Sequence, residues 1–435
     1  MKALRIAVFA LGCRVNHFEA LALSDRIEAL GATAVSWNDK ADAGILNSCA
    51  LTALAEKKTR RAIKQFARLN PESPVAITGC CAEADLEAAA RIPGVRWVVP
   101  NSAKMSAADI VIGDLAARYP QEKVFSSAPS ESLCASSPLG DRTNLKIQDG
   151  CNNACSYCII PRLRGRPKSR VFSEILSDAE NMVERGVAEI VVTGINISKF
   201  ESECGGLVGL LDALNSVPGL KRFRIGSIEP HGFPFKAVEE RMADPSHKLC
   251  PHMHISAQSL NDAVLNAMNR KYASDEITKL VECARNLCPD ISIGADIICG
   301  HPGEGEREFL DTLSKATSCG FSYLHAFTFS PRPKTRATAM DGQVPCQIRA
   351  LRAQKMRALS ERLSREFCAA QFGKTRRLLL ENDAGEGIYY ARSDNYMRCR
   401  VPTGRLGMRN ALVEAVIGKQ GDGGRIDAEF LREID

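Results

Sequence analysis

Three apolar segments in the first hundred residues share one ending. LRIAVFALGC runs to Cys13, ADAGILNSC to Cys49 and PVAITGC to Cys80, and an amphipathic stretch follows each thiol. Successive thiols are separated by about the length of one strand–helix–strand crossover, roughly thirty residues. The strands are therefore expected to lie parallel, with all three cysteines at one carboxyl edge, where open α/β sheets bind ligands. Gly12 and Gly79 directly precede two of the thiols, and Asn47 stands two residues before the third. Glycine at a strand end lets backbone approach a bulky inorganic group. Distant in sequence, the three thiols can converge on an iron–sulfur cluster. Cys81 competes with Cys80, although consecutive residues do not easily point the same way.

A second set is local. Cys151, Cys155 and Cys158, in GCNNACSYCIIP, form a Cys-x3-Cys-x2-Cys loop. A cubane cluster that only carries electrons normally takes four protein thiolates, so three leave one iron open to bind something else. Structural zinc closes its shell with four ligands, and the next cysteine, Cys204, has no paired neighbour. Seventeen cysteines in 435 residues without a secretory leader point to a reducing compartment rather than a disulfide framework. Cys250, Cys283, Cys288, Cys299, Cys319, Cys346, Cys368 and Cys399 stand singly and read as small buried hydrophobes. Net charge is only +6, yet PRLRGRPKSR, directly after the loop, carries Arg162, Arg164, Arg166, Lys168 and Arg170 without an acidic residue. That run reads as a phosphate clamp beside a redox centre.

The chain is too long for one ordinary core. Hydrophobic content of 45% and charged content of 25% suit a soluble globular protein. No apolar run approaches a membrane span, so the expected location is the cytoplasm, with no membrane partner. Residues 1–125 read as an N-terminal open parallel α/β domain and 126–140, rich in Ser, Ala and Pro, as a linker. From 141 to 371, six strand-like runs alternate with helices: LKIQ, AEIVVTG, KRFRIGS, HMHISA, ISIGADIICG and SYLHAFTF. They suggest a partial (β/α)6 barrel with chemistry at the carboxyl ends of its strands, closed by an Arg-rich helix from about Gln347 to Gln371. In 372–435, short alternating segments suggest a small antiparallel β-barrel. Its Tyr389, Tyr390, Tyr396, Arg392, Arg398 and Arg400 fit base stacking and phosphate contact, or equally the ordinary alternation of strands.

With LGCRVN, NSCA and TGC in the first domain, GCNNACSYCIIPRLRGRPKSR in the second and the β-rich tail, the chain resembles the radical S-adenosylmethionine (SAM) methylthiotransferases end to end. These two-cluster enzymes replace an inert C–H with C–SCH3. TGINIS from Thr193, RIGSIEP from Arg224, SAQSLNDAVLNAMNRKY from Ser256 and GHPGE from Gly300 are similar to the branch acting on N6-threonylcarbamoyladenosine next to the anticodon of tRNA. The resemblance implies two 4Fe-4S clusters. Cys13, Cys49 and Cys80 would hold the one that carries sulfur, and Cys151, Cys155 and Cys158 the one that cleaves SAM. It also implies SAM contacts from the backbone of Tyr157, from Thr193, Gly194 and Asn196, and from Glu229, Ser256, Gln258 and Arg270, the last toward the SAM carboxylate. RNA contacts would come from the Arg162–Arg170 run and from an RNA-binding TRAM-like tail. The implied partners are a tRNA anticodon stem-loop, an external electron donor and a sulfur source; no catalytic residue beyond the clusters is indicated. The chain departs from the family pattern at Cys81, at SAQS, at His301 before Pro-Gly-Glu, and near Thr335, where a glycine is missing. Rival targets are isopentenyl-adenosine in tRNA or an aspartate of a ribosomal protein. An RNA-binding iron–sulfur redox sensor is the non-enzymatic alternative, and three ligands per cluster argue against it. His301 and His325 read as structural, since neither stands in metal-ligand spacing with another His or Cys.

Overall fold

A computed structural model describes residues 3–117, 142–421 and 424–434. The stretch read as a linker, 126–140, lies outside the described residues. The first sheet is wholly parallel, in the order Thr33–Ser36, Arg5–Ala10, Ala43–Ser48, Val75–Gly79, Val95–Val98. Its central strands, Ala43–Ser48 and Val75–Gly79, are buried at every residue, as expected when helices cover both faces. The two-residue period sorts their side chains. Ile6, Ile45 and Ala76 join Phe18 and Ile27 of the helix Arg14–Ala29. Ala7, Leu46 and Ile77 join Ala62, Ile63 and Phe66 of the helix Ala53–Leu69.

The six expected strands of the central region form, as Arg142–Asp149, Glu189–Gly194, Arg222–Ile225 continued by Ser227–Ile228, His252–Gln258, Ser292–Cys299 and Tyr323–Thr328. All pair in parallel in that order, within two four-stranded sheets. Only Gly226 separates the third strand's two parts, and that strand carries the curve from one sheet into the other. Lys168–Ser169 adds a short antiparallel edge beside Gln148 and Asp149. The Arg-rich helix spans Cys346–Ala369 and packs on the last strand, where the Ser360 hydroxyl donates to the Leu324 carbonyl and accepts from the Leu324 amide.

The tail closes a five-stranded barrel in the order Thr375–Asp383, Ile388–Ser393, Arg398–Pro402, Ile426–Ile434, Leu412–Gln420. One short pairing, Arg398–Pro402 with Ile426–Ile434, is parallel; the others are antiparallel. The barrel docks through two buried arginines. Arg222 donates to the carbonyls of Arg377 and Arg392, and Arg224 to those of Ser393 and Asp394. Glu189 binds both guanidiniums at 2.6 Å, and despite its burial they hold its carboxyl far below the usual range. Among the described residues, no helix is long and apolar enough to cross a membrane.

Candidate radical and sulfur centres

Each cysteine of the first set leaves the end of a parallel strand. Cys13 caps the helix Arg14–Ala29, Cys49 follows Ala43–Ser48, and Cys80 opens the short helix Cys80–Ala84. The registers Ala10 with Asn47 and Ser48 with Gly79 align the three ends at one edge. Close approach needs glycine here. At Gly12, with φ +105°, a Cβ would lie 2.7 Å from the Cys49 sulfur; at Gly79, with φ +84°, it would lie 2.3 Å from Asn47 Oδ1. Asn16 Nδ2 ties the loop down by donating to the carbonyls of Leu11 and Ser48.

The second set sits where Arg142–Asp149 ends. Gly150, at φ +71°, passes so close to the returning chain that a Cβ would lie 2.0 Å from the Arg166 carbonyl oxygen, and the Cys151 amide donates to Gly165. The loop is anchored by residues just past two later strand ends, Asn196 and His301, and by Arg270 beyond the helix Asp262–Ala267. Asn196 Nδ2 stands 3.9 Å from the Cys151 sulfur, and Arg270 Nη1 donates to the Cys155 sulfur at 3.3 Å. His301 is fully buried and accepts a 2.9 Å bond from the Ser156 hydroxyl through Nε2 while Nδ1 donates to the Pro302 carbonyl. Burial holds that ring neutral, with its pKa pulled down to about 4.

The two sets meet at one interface. Cys80 packs with Ala50 against Ile159 and Leu163, just beyond Cys158. Leu51 and Thr52, just beyond Cys49, line the same cavity of about 330 Å³ as Cys151, Cys155 and Cys158. Burial raises the Cys49 thiol to about 11 and Cys158 to about 12. Such thiols ionise only when a cation compensates them, as iron does. Among the described residues, the one His/Cys/carboxylate group whose ligand atoms all lie within 4.8 Å of one another contains no cysteine. Both thiol sets are thus wider than a single tetrahedral ion requires, and soft thiolates in sets of three suit a cluster.

Of the eight residues expected to contact SAM, Tyr157, Gly194, Asn196, Glu229, Ser256, Gln258 and Arg270 line this cavity. Thr193 does not; it is buried in its strand. Arg270 already has a carboxylate partner, since Nη2 donates to Glu229 Oε2 at 2.5 Å and to the Ser256 carbonyl. Arg270 thereby links Glu229 to the Cys155 sulfur at the cavity wall. Gln258 sits at φ +64° beyond a shift of register in its strand, a strained conformation typical of functional sites.

The basic run after the loop is divided. Arg162, Arg166 and Lys168 are exposed, whereas the Arg164 side chain has no exposed surface. Its Nη1 donates to Glu19 Oε1 and Asp149 Oδ1, both at 3.0 Å, and its Nη2 to Asn16 Oδ1 at 2.6 Å. Lys104 and Lys146 complete the group, reaching Glu19 at 2.6 and 2.8 Å. Three cations meet two carboxylates there. Burial pulls Lys104 down to about 8, while Lys146 and Arg164 overcome burial at Asp149 and bring its carboxyl to about 2. Burial likewise raises Cys13 and Cys49, and the Arg164 charge opposes it at both. Arg170 is held by Asp178 at 2.9 Å. Both Arg164 and Arg170 are thus paired with carboxylates inside the protein. In the tail, Tyr389 is a core residue and Tyr396 lies with its ring tilted 4.2 Å from that of His252, among Arg142, Arg224 and Arg392. Tyr390, Arg398 and Arg400 remain at least partly exposed.

One grouping escaped sequence spacing altogether. His254, Asp296 and His325 stand on three adjacent strands, with His254 Nε2 2.8 Å and His325 Nδ1 3.5 Å from Asp296 Oδ1. His325 is therefore not isolated. Asp296 also lines the cavity, and Tyr323 OH bonds His254 from behind at 3.2 Å.

An incomplete parallel barrel with a three-thiol loop at its first strand end defines a radical SAM enzyme, and residues 145–316 match the Radical SAM superfamily model. Residues 5–99 match a family described as uncharacterized protein family UPF0004. The chain is 34% identical over 379 residues to the threonylcarbamoyladenosine tRNA methylthiotransferase MtaB of Chlamydia pneumoniae, covering 86% of each. It is 32% identical to the MtaB of Thermotoga maritima, covering 94% of this chain and 93% of that one. The tRNA-2-methylthio-N(6)-dimethylallyladenosine synthase of Novosphingobium aromaticivorans is 32% identical over 87% of each. The chain belongs to the radical SAM methylthiotransferase family, whose cofactors are SAM and two 4Fe-4S clusters. Among solved structures, the radical SAM methyltransferase TsrM of Kitasatospora setae shares the fold at TM-score 0.55 and 12% identity, covering 77% of each chain.

Proposed function

We propose that this chain converts N6-threonylcarbamoyladenosine beside the anticodon of tRNA into its 2-methylthio derivative. The observation that carries the reading is the meeting of two three-thiol sets at one buried interface, Cys80 packing against the residue that follows Cys158. Cys13, Cys49 and Cys80 hold one cluster, and Cys151, Cys155 and Cys158 the other. When bound, the clusters and SAM supply the sulfur to be inserted and the one-electron cleavage that yields a 5′-deoxyadenosyl radical.

The protein's own groups position and enclose. Asn196, Glu229, Ser256 and Gln258 present polar atoms to SAM at the carboxyl ends of the barrel strands. Burial raises the Glu229 carboxyl and the Arg270 guanidinium opposes that rise, while Arg270 also holds the cluster loop through Cys155. Arg164, buried beside Lys104 and Lys146, offsets the negative charge of the thiolates at Cys13 and Cys49, and such compensation strengthens as water is removed. Leu51 and Phe327, apolar, partly exposed and at the cavity wall, offer an adenine ring two faces to lie against.

Both adenosine branches of the family are similar to this chain at comparable identity. Asp296 and the two histidines bonded to it favour threonylcarbamoyl over isopentenyl, because they give hydroxyl and amide groups partners that an alkyl chain would leave unpaired. The electron donor and sulfur source are external, and the enzyme works in the cytoplasm. The test is anaerobic reaction of reconstituted protein with SAM, a reductant, sulfide and a stem-loop bearing either modified adenosine, read by nucleoside mass spectrometry. Methylthiolation of the threonylcarbamoyl stem-loop is expected. Conversion of the isopentenyl one alone would move the chain to the other branch, and absence of 5′-deoxyadenosine from protein carrying both clusters would end the enzyme reading.

A further inference from the structure

We infer that the outward face of the helix Ala53–Leu69 is the surface that grips the phosphates of the anticodon stem-loop; the inference rests on the tRNA reading above. The helix buries Thr59, Ala62, Ile63 and Phe66. Lys57, Arg61, Lys64 and Arg68 recur at i, i+4, i+7 and i+11, which a 3.6-residue turn stacks into one stripe about 16 Å long. Lys58 and Arg60 flank it, and all six cations are exposed. Lys57 with Arg61, Arg60 with Lys64, and Lys64 with Arg68 are like charges at i, i+4, an arrangement that destabilises a helix on its own. The one acidic residue of the helix, Glu56, is bound to Arg332. Among the described residues, no carboxylate pairs with any of the six. Such an uncompensated row matches a polyanion, since each phosphate it neutralises releases a counterion.

Its position fits the substrate. Thr52 caps the helix and, with Leu51, lines the cavity that holds Cys151, Cys155 and Cys158, so the helix starts at the cavity wall and the stripe begins between one and two turns further along it. A second cavity, of about 390 Å³, lies between this helix and the segment after the cluster loop; Arg60, Arg162, Arg332 and Lys334 line it together with Glu56, Glu83 and Asp85. Its charges largely balance, so the row of unpaired cations is the outward stripe itself, and Arg60 and the exposed Arg162 stand at its edge. A protein partner would look for an apolar centre ringed by polar groups; here the exposed Leu54 stands at the end of the stripe and cations occupy its middle.

The experiment compares two full-length variants, each lacking four exposed cations. K57Q/R61Q/K64Q/R68Q removes the stripe; K355Q/R357Q/R362Q/R365Q removes four from the exposed face of the helix Cys346–Ala369. Glutamine keeps helix propensity, and iron content and melting midpoint report that each variant is folded and loaded. Binding of a modified anticodon stem-loop is measured from low to high salt. For wild type, log affinity is expected to fall linearly with log salt; removing the stripe lowers that slope by about three, at roughly 0.7 to 0.9 for each phosphate no longer neutralised. The control keeps the wild-type slope, and turnover shows the stripe variant with raised KM and retained kcat. Equal slopes in both variants would overturn the inference while leaving the tRNA reading intact. Wild-type protein without salt-dependent binding to the stem-loop would overturn both.

Discussion

The two thiol sets reach the same end by opposite routes. Cys151, Cys155 and Cys158 lie on one loop, and distant residues only steady them: Asn196, Arg270 and His301 through Ser156. Cys13, Cys49 and Cys80 are brought together by the sheet itself, through the register of three strands. The local set needs braces, the assembled one needs a fold. Their faults should therefore differ in kind.

The largest contrast comes from the ligands. Cys80→Ala is expected to abolish sulfur insertion while 5′-deoxyadenosine is still formed, and Cys158→Ala to abolish both; product analysis with iron counted per chain distinguishes them. Next in size, Gly79→Val places a Cβ where Asn47 and the Ser48 backbone already stand. It should lose about half of the bound iron, all from the assembled set, leaving SAM cleavage measurable. Loss from the loop set instead would break the comparison. Arg164→Met removes a cation from the buried group between the sets. Breaking a buried charge network typically costs about 3 to 5 kcal/mol, to be read from denaturant unfolding of the apoprotein, and the effect should exceed that of Arg166→Met, an exposed neighbour.

The smallest effect concerns the brace at His301. Its folded pKa is about 4, below the unfolded value of about 6.5. Between those values the unfolded chain binds the extra proton, so its contribution to stability is full above about pH 6.5 and is lost as pH falls toward 4. The loss amounts to about 3 kcal/mol. His301→Phe should flatten the apoprotein's stability across that window; an unchanged pH profile would mean that the ring is not held neutral.

The repeated strand ending on a thiol, with glycine before two of the three, carried the assembled set in plain view because a parallel crossover has a characteristic length. The six barrel strands were equally legible, since each is an apolar run bounded by helical spacing. Charge was legible and its use was not. Arg164 looks like its neighbours until Glu19, 145 residues earlier, closes on it. Arg270 and Glu229 each invite a ligand when read singly and satisfy one another when folded. His254, Asp296 and His325 share no spacing, because what joins them is strand adjacency. The cations of Ala53–Leu69 were visible as letters, but which of them face outward depends on what Phe66 and Ile63 bury.

The seat of the C-terminal barrel has an evolutionary consequence. Arg222 and Arg224 hold the carbonyls of Arg377, Arg392, Ser393 and Asp394, groups that every amino acid possesses. The attachment is blind to the identity of the residues it clasps. Lineages can rewrite the outer strands of that module without loosening its hold on the machinery beneath.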